Sequence, residues 1–195
     1  MNLILASSSP RRVAFLKELG LRFRRVAPNI DETRAPDESP RHYVRRVALE
    51  KARAVSRKHP QSWVLAADTT VVVDKDVLGK PNGERQARAM LRRLSGRAHR
   101  VYSGIALVHE ETNRSRTAVS STRVFIRELS DTDIQWYVGT GEPLDKAGSY
   151  GAQGKGALLI ERIEGSFSNV VGLPLEKLYE LWNAEGLGGL GLAGK

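Results

Sequence analysis

The sequence predicts an α/β protein built on a mixed sheet. Apolar or β-branched runs alternate along the chain with segments of helical periodicity, which is the pattern of strands and helices packed in layers. The polar residues 110–113 separate two β-rich segments and are typical of a hairpin turn, so part of the sheet is expected to be antiparallel. With 195 residues, of which 41% are hydrophobic, the chain can bury a substantial core.

Each element has its own local signal. Ser9 and Pro10 suit the N-cap and first position of a helix that ends at Gly20, and Ser39 and Pro40 begin the next helix in the same way. Asp133, three residues after Ser130, completes a start that resembles a capping box. The expected strands cover residues 3–6, 23–27, 63–73, 101–108, 117–126 and 157–163. The expected helices cover residues 10–20, 39–58, 83–95, 130–139 and 174–184.

Composition narrows the class of protein. No apolar run is long enough for a membrane span, and no signal peptide is evident. The absence of cysteine makes the cytoplasm the default compartment and excludes thiolate zinc sites. A net charge of +9 favours polyanionic partners, but the basic residues are scattered and do not indicate a dedicated nucleic-acid module. The glycine- and leucine-rich residues 186–195 are expected to form a flexible tail.

The loop at residues 7–12 is the first candidate site. Its serines, including Ser8, lie between a predicted strand and a helix start, where unpaired N–H groups attract anions. Arg11 and Arg12 add guanidinium donors that match phosphate oxygens. The alternative is an ordinary capped helix with two solvated arginines.

Two charged residues interrupt apolar patterns. Lys51 falls inside the apolar stripe of the second predicted helix, where it either extends its amine to water or meets an anion. Asp68 interrupts an apolar strand, and a buried acid there needs a cation, a metal or hydrogen-bond donors. The alternative for Asp68 is that the strand ends at Ala67 and the carboxylate caps a turn.

Two more segments resemble loops of a binding site. Lys80 lies in a rigid turn before Pro81, and the alternative is a solvated turn lysine. Gln153 lies in a glycine-rich segment that lets backbone N–H groups approach a ligand, and it either contacts a base edge or bonds its own loop. This segment is neither a Walker A motif nor a dinucleotide fingerprint, and the chain has no HExxH or GxSxG motif. Cations with the acids Glu32 and Asp68 are the mixture that phosphate chemistry needs.

The order of these motifs resembles the Maf family of nucleoside triphosphate pyrophosphatases. The matching segments are residues 5–12, 67–69, 78–81, 94–97 with His99, 145–150 with 153–154, and 172–174. The resemblance implies one domain over residues 1–185 with two lobes, a long curved mixed sheet flanked by helices, and a cleft between the lobes. It also implies hydrolysis of a nucleoside triphosphate to a monophosphate and pyrophosphate, a divalent cation (Mg²⁺, Mn²⁺ or Co²⁺) and a homodimer.

The resemblance also implies roles for individual residues. Asp68 matches the catalytic carboxylate, and with Glu32 it would hold the metal. The residues that match the substrate-binding positions are Ser8, Arg11, Arg12, Glu32, Lys51, Thr69, Lys80 and Gln153. Among them, Thr69 and Gln153 resemble the branch that acts on dTTP and UTP, and Arg12 is also tied to base choice. The alternative function is a regulator of cell division that binds nucleotide or nucleic acid without turnover.

Overall fold

The computed structural model describes residues 2–188, so residues 189–195 of the expected tail lie outside the described part. The described chain divides into two compact units. The first unit comprises residues 2–68, 103–120 and 172–188, and the second comprises Thr69–Tyr102 and Ser121–Val171. Three strands begin in one unit and end in the other.

Seven strands form one mixed sheet. The strands are β1 (Leu3–Ala6), β2 (Arg24–Val26), β3 (Trp63–Val73), β4 (Asp76–Leu78), β5 (Ala98–His109), β6 (Arg114–Ile126) and β7 (Ile160–Glu164). Their order is β2-β1-β3-β5-β6-β7, and β4 pairs with β3. Strand β1 is parallel to both β2 and β3, whereas the β3–β4 and β6–β7 pairs are antiparallel. The fold class predicted from the sequence is therefore confirmed.

In the residues that the structure describes, six α-helices accompany the sheet. They are α1 (Pro10–Glu18), α2 (Pro40–Ser56), α3 (Glu84–Leu94), α4 (Asp131–Gly139), α5 (Phe167–Val171) and α6 (Leu175–Ala184). The hydroxyl of Ser39 accepts the N–H of His42, and Ser130 with Asp133 forms the predicted capping box. Ser9 occupies the N-cap of α1 as predicted, but its side chain does not cap the helix. Among the helices described, none is long and apolar enough to span a membrane.

Three sequence predictions need correction. The strand expected over residues 157–163 begins only at Ile160, because Gly154–Leu159 forms a 3₁₀ helix. Strand β4 was not predicted, since its three residues are too few for a recognisable period. Helix α5 was also not predicted, because its five residues span little more than one turn.

The core of the first unit brings α2 close to the sheet. Ala48 and Ala52 on α2 are fully buried in the same cluster as Ala6, Ala66 and Ala106 on the strands. Small side chains on both surfaces let the helix approach the strands closely. The same face of α2 carries Lys51, so that close approach places a lysine at the buried surface of the sheet.

The core of the second unit is built from larger side chains. Leu91 and Leu94 of α3, Ile134 and Tyr137 of α4, and Val124 of β6 belong to one buried cluster. Burying an aliphatic or aromatic side chain of this size stabilises the fold by about 1.5–3 kcal/mol. Leu78 at the end of β4 and Tyr150 in the glycine-rich segment belong to the same cluster, which anchors both segments.

Candidate functional site

A buried lysine that bridges two carboxylates is the centre of the candidate site in the first unit. Lys51 Nζ lies 2.8 Å from Glu32 Oε2 and 2.8 Å from Asp68 Oδ1. Lys51 and Asp68 are each only 7% exposed, whereas Glu32 lies at the surface. The expected anion at Lys51 is therefore present, and it is supplied by the protein itself.

Asp68 lies within a continuous strand. Strand β3 extends from Trp63 to Val73, so the alternative in which the strand ends at Ala67 is wrong. Successive residues of a strand face opposite sides of a sheet, so Asp68 and Thr69 point in different directions. Since a buried carboxylate is costly without a partner, the bond to Lys51 is what allows an acid at this position.

Glu32 is carried by an irregular segment that α2 holds in place. The hydroxyl of Tyr43 donates to the backbone oxygen of Glu32 at 3.0 Å. Arg46 donates to the backbone oxygen of Thr33 and, through two nitrogens, to the carboxylate of Glu38. The hydrogen bonds from Arg46 overcome the effect of burial and lower the pKa of Glu38 to about 2. Three contacts from one helix therefore fix the segment that carries Glu32.

Burial of Tyr43 has an electrostatic consequence. Desolvation, together with the nearby carboxylates of Asp68 and Glu32, raises the pKa of Tyr43 to about 12. Tyr43 therefore stays protonated and acts as a hydrogen-bond donor throughout the neutral range. Tyr43 was not predicted as a site residue, because an aromatic residue on a helix carries no signal beyond packing.

The loop of residues 7–12 is held by two arginines. Arg12 Nε donates to the backbone oxygen of Gly172 at 2.8 Å, and its Nη1 lies 3.4 Å from Ser7 Oγ. Arg25 donates to the backbone oxygens of Ser7 and Ser8 at 3.1 and 2.9 Å. Arg25 was not predicted, because strand β2 showed no pattern that distinguished it from a solvated arginine.

The guanidinium of Arg12 lies in the field of the two acids. Desolvation lowers the pKa of Arg12, and so does Arg11, whereas Asp68 and Glu32 raise it. Arg11 is half-buried in the first turn of α1, and Ser8 is exposed. The structure therefore brings Arg12 near the carboxylates that Lys51 joins, as a site for a phosphate would require.

The remaining predicted residues, Thr69, Lys80 and Gln153, belong to the second unit. Lys80 and Gln153 are exposed, and Thr69 is half-buried. Gln153 precedes a 3₁₀ helix, but its side chain does not cap that helix. The turn and the glycine-rich segment are joined, since the N–H of Gly148 donates to the backbone oxygen of Gly79 at 3.1 Å.

The donor set fits a divalent cation that is bound together with a phosphate. The described residues contain no group of three or more His, Asp or Glu side chains able to hold a metal on their own. Asp68 and Glu32 nevertheless converge on one nitrogen, so two carboxylates are available at one place. Mg²⁺ is commonly held by one or two carboxylates with phosphate oxygens and water, so these residues fit such an ion.

Relatives with known names share most of the chain. The dTTP/UTP pyrophosphatase of Desulfotalea psychrophila is 53% identical over 178 residues, which are 91% of this chain and 91% of that protein. The dTTP/UTP pyrophosphatase of Myxococcus xanthus is 52% identical over 187 residues, which are 95% of this chain and 93% of that protein.

Two further comparisons concern the fold and the family. The solved structure of the Staphylococcus aureus Ham1 protein is similar in fold, with a TM-score of 0.57 at 12% identity, over 95% of this chain and 100% of that one. A family model described as Maf-like protein matches residues 2–185. The chain therefore belongs to the Maf family.

Proposed function

We propose that this protein hydrolyses dTTP and UTP to the nucleoside monophosphate and pyrophosphate. The observation that carries the proposal is the buried Lys51, which joins the carboxylates of Asp68 and Glu32 beside Arg12. Cations that neutralise phosphate charge and carboxylates that hold a metal or activate water are the groups that this reaction needs. The names of the relatives support the choice of dTTP and UTP as substrates.

The reaction adds one water across the phosphoanhydride between the α- and β-phosphates. The oxygen of the water bonds to phosphorus, the bridging P–O bond breaks, and the leaving phosphate oxygen takes the bonding electron pair. A carboxylate of the pair Asp68 and Glu32 accepts a proton from the water as it attacks. Arg11, Arg12 and Lys51 stabilise the negative charge of the phosphate oxygens, and the N–H groups of the loop at Ser8 add to them.

The same two carboxylates would hold the divalent cation. When bound, such an ion neutralises phosphate charge and lowers the pKa of a coordinated water. Lys51 now occupies the position between the two acids, so it competes with a cation for one oxygen of each. The protein's own lysine thereby holds the two carboxylates close together.

Base choice is assigned to Thr69 and Gln153, with a contribution from Arg12. The amide of Gln153 offers both a donor and an acceptor, and pyrimidine bases present complementary atoms on their edges. Because the side chain of Gln153 is exposed and does not cap its own helix, it is available for such a contact. Lys80 is assigned to the triphosphate, which all nucleotides share.

The proposal also includes a cytoplasmic location and a homodimeric state. A chain without cysteine suits the reducing cytoplasm, where nucleoside triphosphates are used. The resemblance to the family supports a homodimer. Light scattering after size-exclusion chromatography tests this, since the chain mass is 21.5 kDa and a dimer has twice that value.

Product analysis tests the reaction. The purified protein is incubated with dTTP and with Mg²⁺, Mn²⁺ or Co²⁺ in turn, and the nucleotides are separated by anion-exchange chromatography. We expect dTMP, together with phosphate that a malachite-green assay detects only after inorganic pyrophosphatase is added. Formation of dTDP and free orthophosphate contradicts the proposal. A regulator that binds without turnover, the alternative, would give no product, and the enzyme names of the relatives do not favour it.

A further inference from the structure

Two residues of the second unit hold the backbone on both sides of Gln153. The hydroxyl of Tyr137 accepts the N–H of Gly151 at 3.1 Å and donates to Glu142 Oε1 at 2.9 Å. The carboxylate of Glu142 accepts the N–H of Lys155 at 3.0 Å and that of Gly156 at 3.0 Å. Residues 151–156 are therefore fixed before and after the exposed Gln153.

The glycines of this segment leave room for the two side chains. A Cβ atom at Gly154 would lie 2.9 Å from Glu142 Oε2, closer than real Cβ contacts allow. A Cβ atom at Gly156 would collide with the hydroxyl of Tyr137. The backbone at these positions lies directly against a tyrosine and a carboxylate, and the positive φ of Gly154 and the close backbone of Gly151 beside Gly156 also require glycine.

The electrostatics show that the contact uses an ionised carboxylate. Burial raises the pKa of Glu142, but the N–H groups of Gly156 and Lys155 and the hydroxyl of Tyr137 lower it by more, so it lies below its usual value. Burial and the carboxylate of Glu142 both raise the pKa of Tyr137. Near neutral pH, the pair is thus one phenol donor and one anionic acceptor.

We infer that Tyr137 and Glu142 are positioning residues for base selection and act by holding residues 151–156 so that Gln153 faces its substrate. This inference rests on the proposed function, in which Gln153 contacts the base. Neither residue is assigned a contact with the nucleotide. Their effect on catalysis passes through the backbone of the segment, since every one of their bonds to it is made with a backbone N–H.

Two variants separate this role from a general effect on folding. Glu142→Gln places an amide nitrogen, which cannot accept, where a carboxylate oxygen accepts an N–H. Tyr137→Phe removes the hydroxyl and keeps the ring in the core. The matched controls are Glu128→Gln and Tyr179→Phe, which change the same chemical groups on exposed residues.

Hydrogen exchange is the first readout. The oxygen that remains in Glu142→Gln can still accept one of the two N–H groups, so the amide of either Lys155 or Gly156 should exchange about tenfold faster, the scale of one lost hydrogen bond. Amides of strand β3 should exchange as in the wild type, and both controls should leave every rate unchanged. Unchanged exchange at Lys155 and Gly156 overturns the inference.

Substrate selectivity is the second readout. We expect KM for dTTP to rise about tenfold in Glu142→Gln, with a smaller change in kcat and a reduced preference for dTTP over CTP. In a Gln153→Ala background, Glu142→Gln should not alter the preference further. An equal loss on both nucleotides, or a preference that still changes without Gln153, overturns the inference.

The two proposals can fail separately. If the wild type forms no dTMP, the proposed reaction is wrong, and the selectivity readout is then made with dissociation constants for dTTP and CTP. If the wild type forms dTMP while Glu142→Gln keeps the wild-type KM and preference, the reaction stands and the positioning role is wrong.

Discussion

The two sets of proposed substrate-binding residues are held in place by different means. In the first unit, Lys51, Asp68 and Glu32 are held by charge, because each ionised side chain bonds directly to another. In the second unit, Gln153 is held through the backbone on either side of it, where N–H groups of residues 151, 155 and 156 donate to the side chains of Tyr137 and Glu142. A buried charge network makes a rigid site for charged phosphate groups, whereas a held backbone leaves one side chain exposed to select a base.

The two units also differ in the charge of their buried titratable pairs. Asp68 and Lys51 form a buried ion pair in the first unit. His99 and Tyr150 of the second unit are buried as a neutral pair, with 2.6 Å between His99 Nε2 and the tyrosine oxygen. Burial lowers the pKa of His99 to about 4 and raises that of Tyr150. Each unit thus has its own response to mutation and to pH.

The largest expected effect is on stability when Lys51 is removed. Lys51→Met keeps the apolar stem but leaves the carboxylate of Asp68 buried without its cation, a change that costs about 3–5 kcal/mol. Urea unfolding at pH 7 measures this loss, and activity on all nucleotides should fall together. Lys58→Met, at an exposed lysine, should change the free energy of unfolding by less than about 0.5 kcal/mol.

The double variant Lys51→Met/Asp68→Asn tests the cause of that loss. Neutralising the buried acid removes the unpaired charge, so the double variant should be more stable than Lys51→Met alone. If instead the two losses add, the contribution of Lys51 to stability comes from packing and not from charge pairing.

The next effect in size concerns the activity of Asp68→Asn. The substitution keeps the shape of the side chain but removes the charge that would hold a metal or accept a proton, so kcat should fall by at least roughly 100-fold. Folding should survive, since Lys51 retains its bond to Glu32. Circular dichroism verifies the fold of the variant. A folded Asp68→Asn with nearly wild-type turnover excludes Asp68 as the catalytic carboxylate.

The contrast between the units also explains what the sequence could predict. Lys51 and Asp68 were identifiable because a charge inside an apolar pattern is costly and must have a partner. The identity of that partner was not predictable, since Glu32 comes from an irregular segment that Tyr43 and Arg46 fix in three dimensions. The sequence therefore indicated the members of the ion network but not its connections.

In the second unit, the sequence predicted fewer of the residues that form the site. The glycines suggested a close approach of the backbone, but not the side chains that they approach. Tyr137 follows the helical period of α4 as an ordinary core residue, and Glu142 begins the short 3₁₀ helix Glu142–Asp145. Their bonds join residues 5 to 14 positions apart, and no local propensity encodes such contacts. For the same reason, residues 157–159, which end the 3₁₀ helix after Gln153, were expected to begin a strand.

A third effect, of intermediate size, is the pH dependence of stability. The pKa of His99 is lowered to about 4 by burial, so the unfolded chain binds the proton more tightly than the folded protein does. The stabilisation is therefore complete above about pH 6.5 and is lost as the pH falls towards 4. Between pH 7 and pH 5, the free energy of unfolding should fall by about 2 kcal/mol because of this group.

Urea unfolding of His99→Gln at both pH values measures the contribution. The variant should be less stable at pH 7 but should show a smaller decrease between pH 7 and pH 5 than the wild type. His59→Gln is the matched control, because it removes a partly exposed histidine of the other unit. An undiminished decrease in His99→Gln would show that another group is responsible.

The smallest expected effect, that of Gln153→Glu on substrate preference, should separate the base-binding residues from the phosphate-binding residues most clearly. Gln153→Glu replaces an amide that can donate with a carboxylate that can only accept. A base edge that needs the donor then loses about 1–3 kcal/mol of binding, the cost of an unpaired buried polar group. Because the side chain of Gln153 is exposed in the free protein, its replacement should leave the free energy of unfolding nearly unchanged. Values of kcat/KM for dTTP, UTP, CTP and GTP measure the effect on each base.

We expect kcat/KM of Gln153→Glu to fall more for dTTP and UTP than for GTP, whereas Lys51→Met should lower all four values together. This difference follows from what the residues face, since the triphosphate is common to all nucleotides and the base is not. Gln153→Met, which has neither donor nor acceptor amide atoms, separates the loss of the donor from repulsion by the new charge. If Lys51→Met alters the ranking of the four nucleotides while Gln153→Glu lowers them equally, the charge network of the first unit selects the base and the loop of the second unit binds the phosphates.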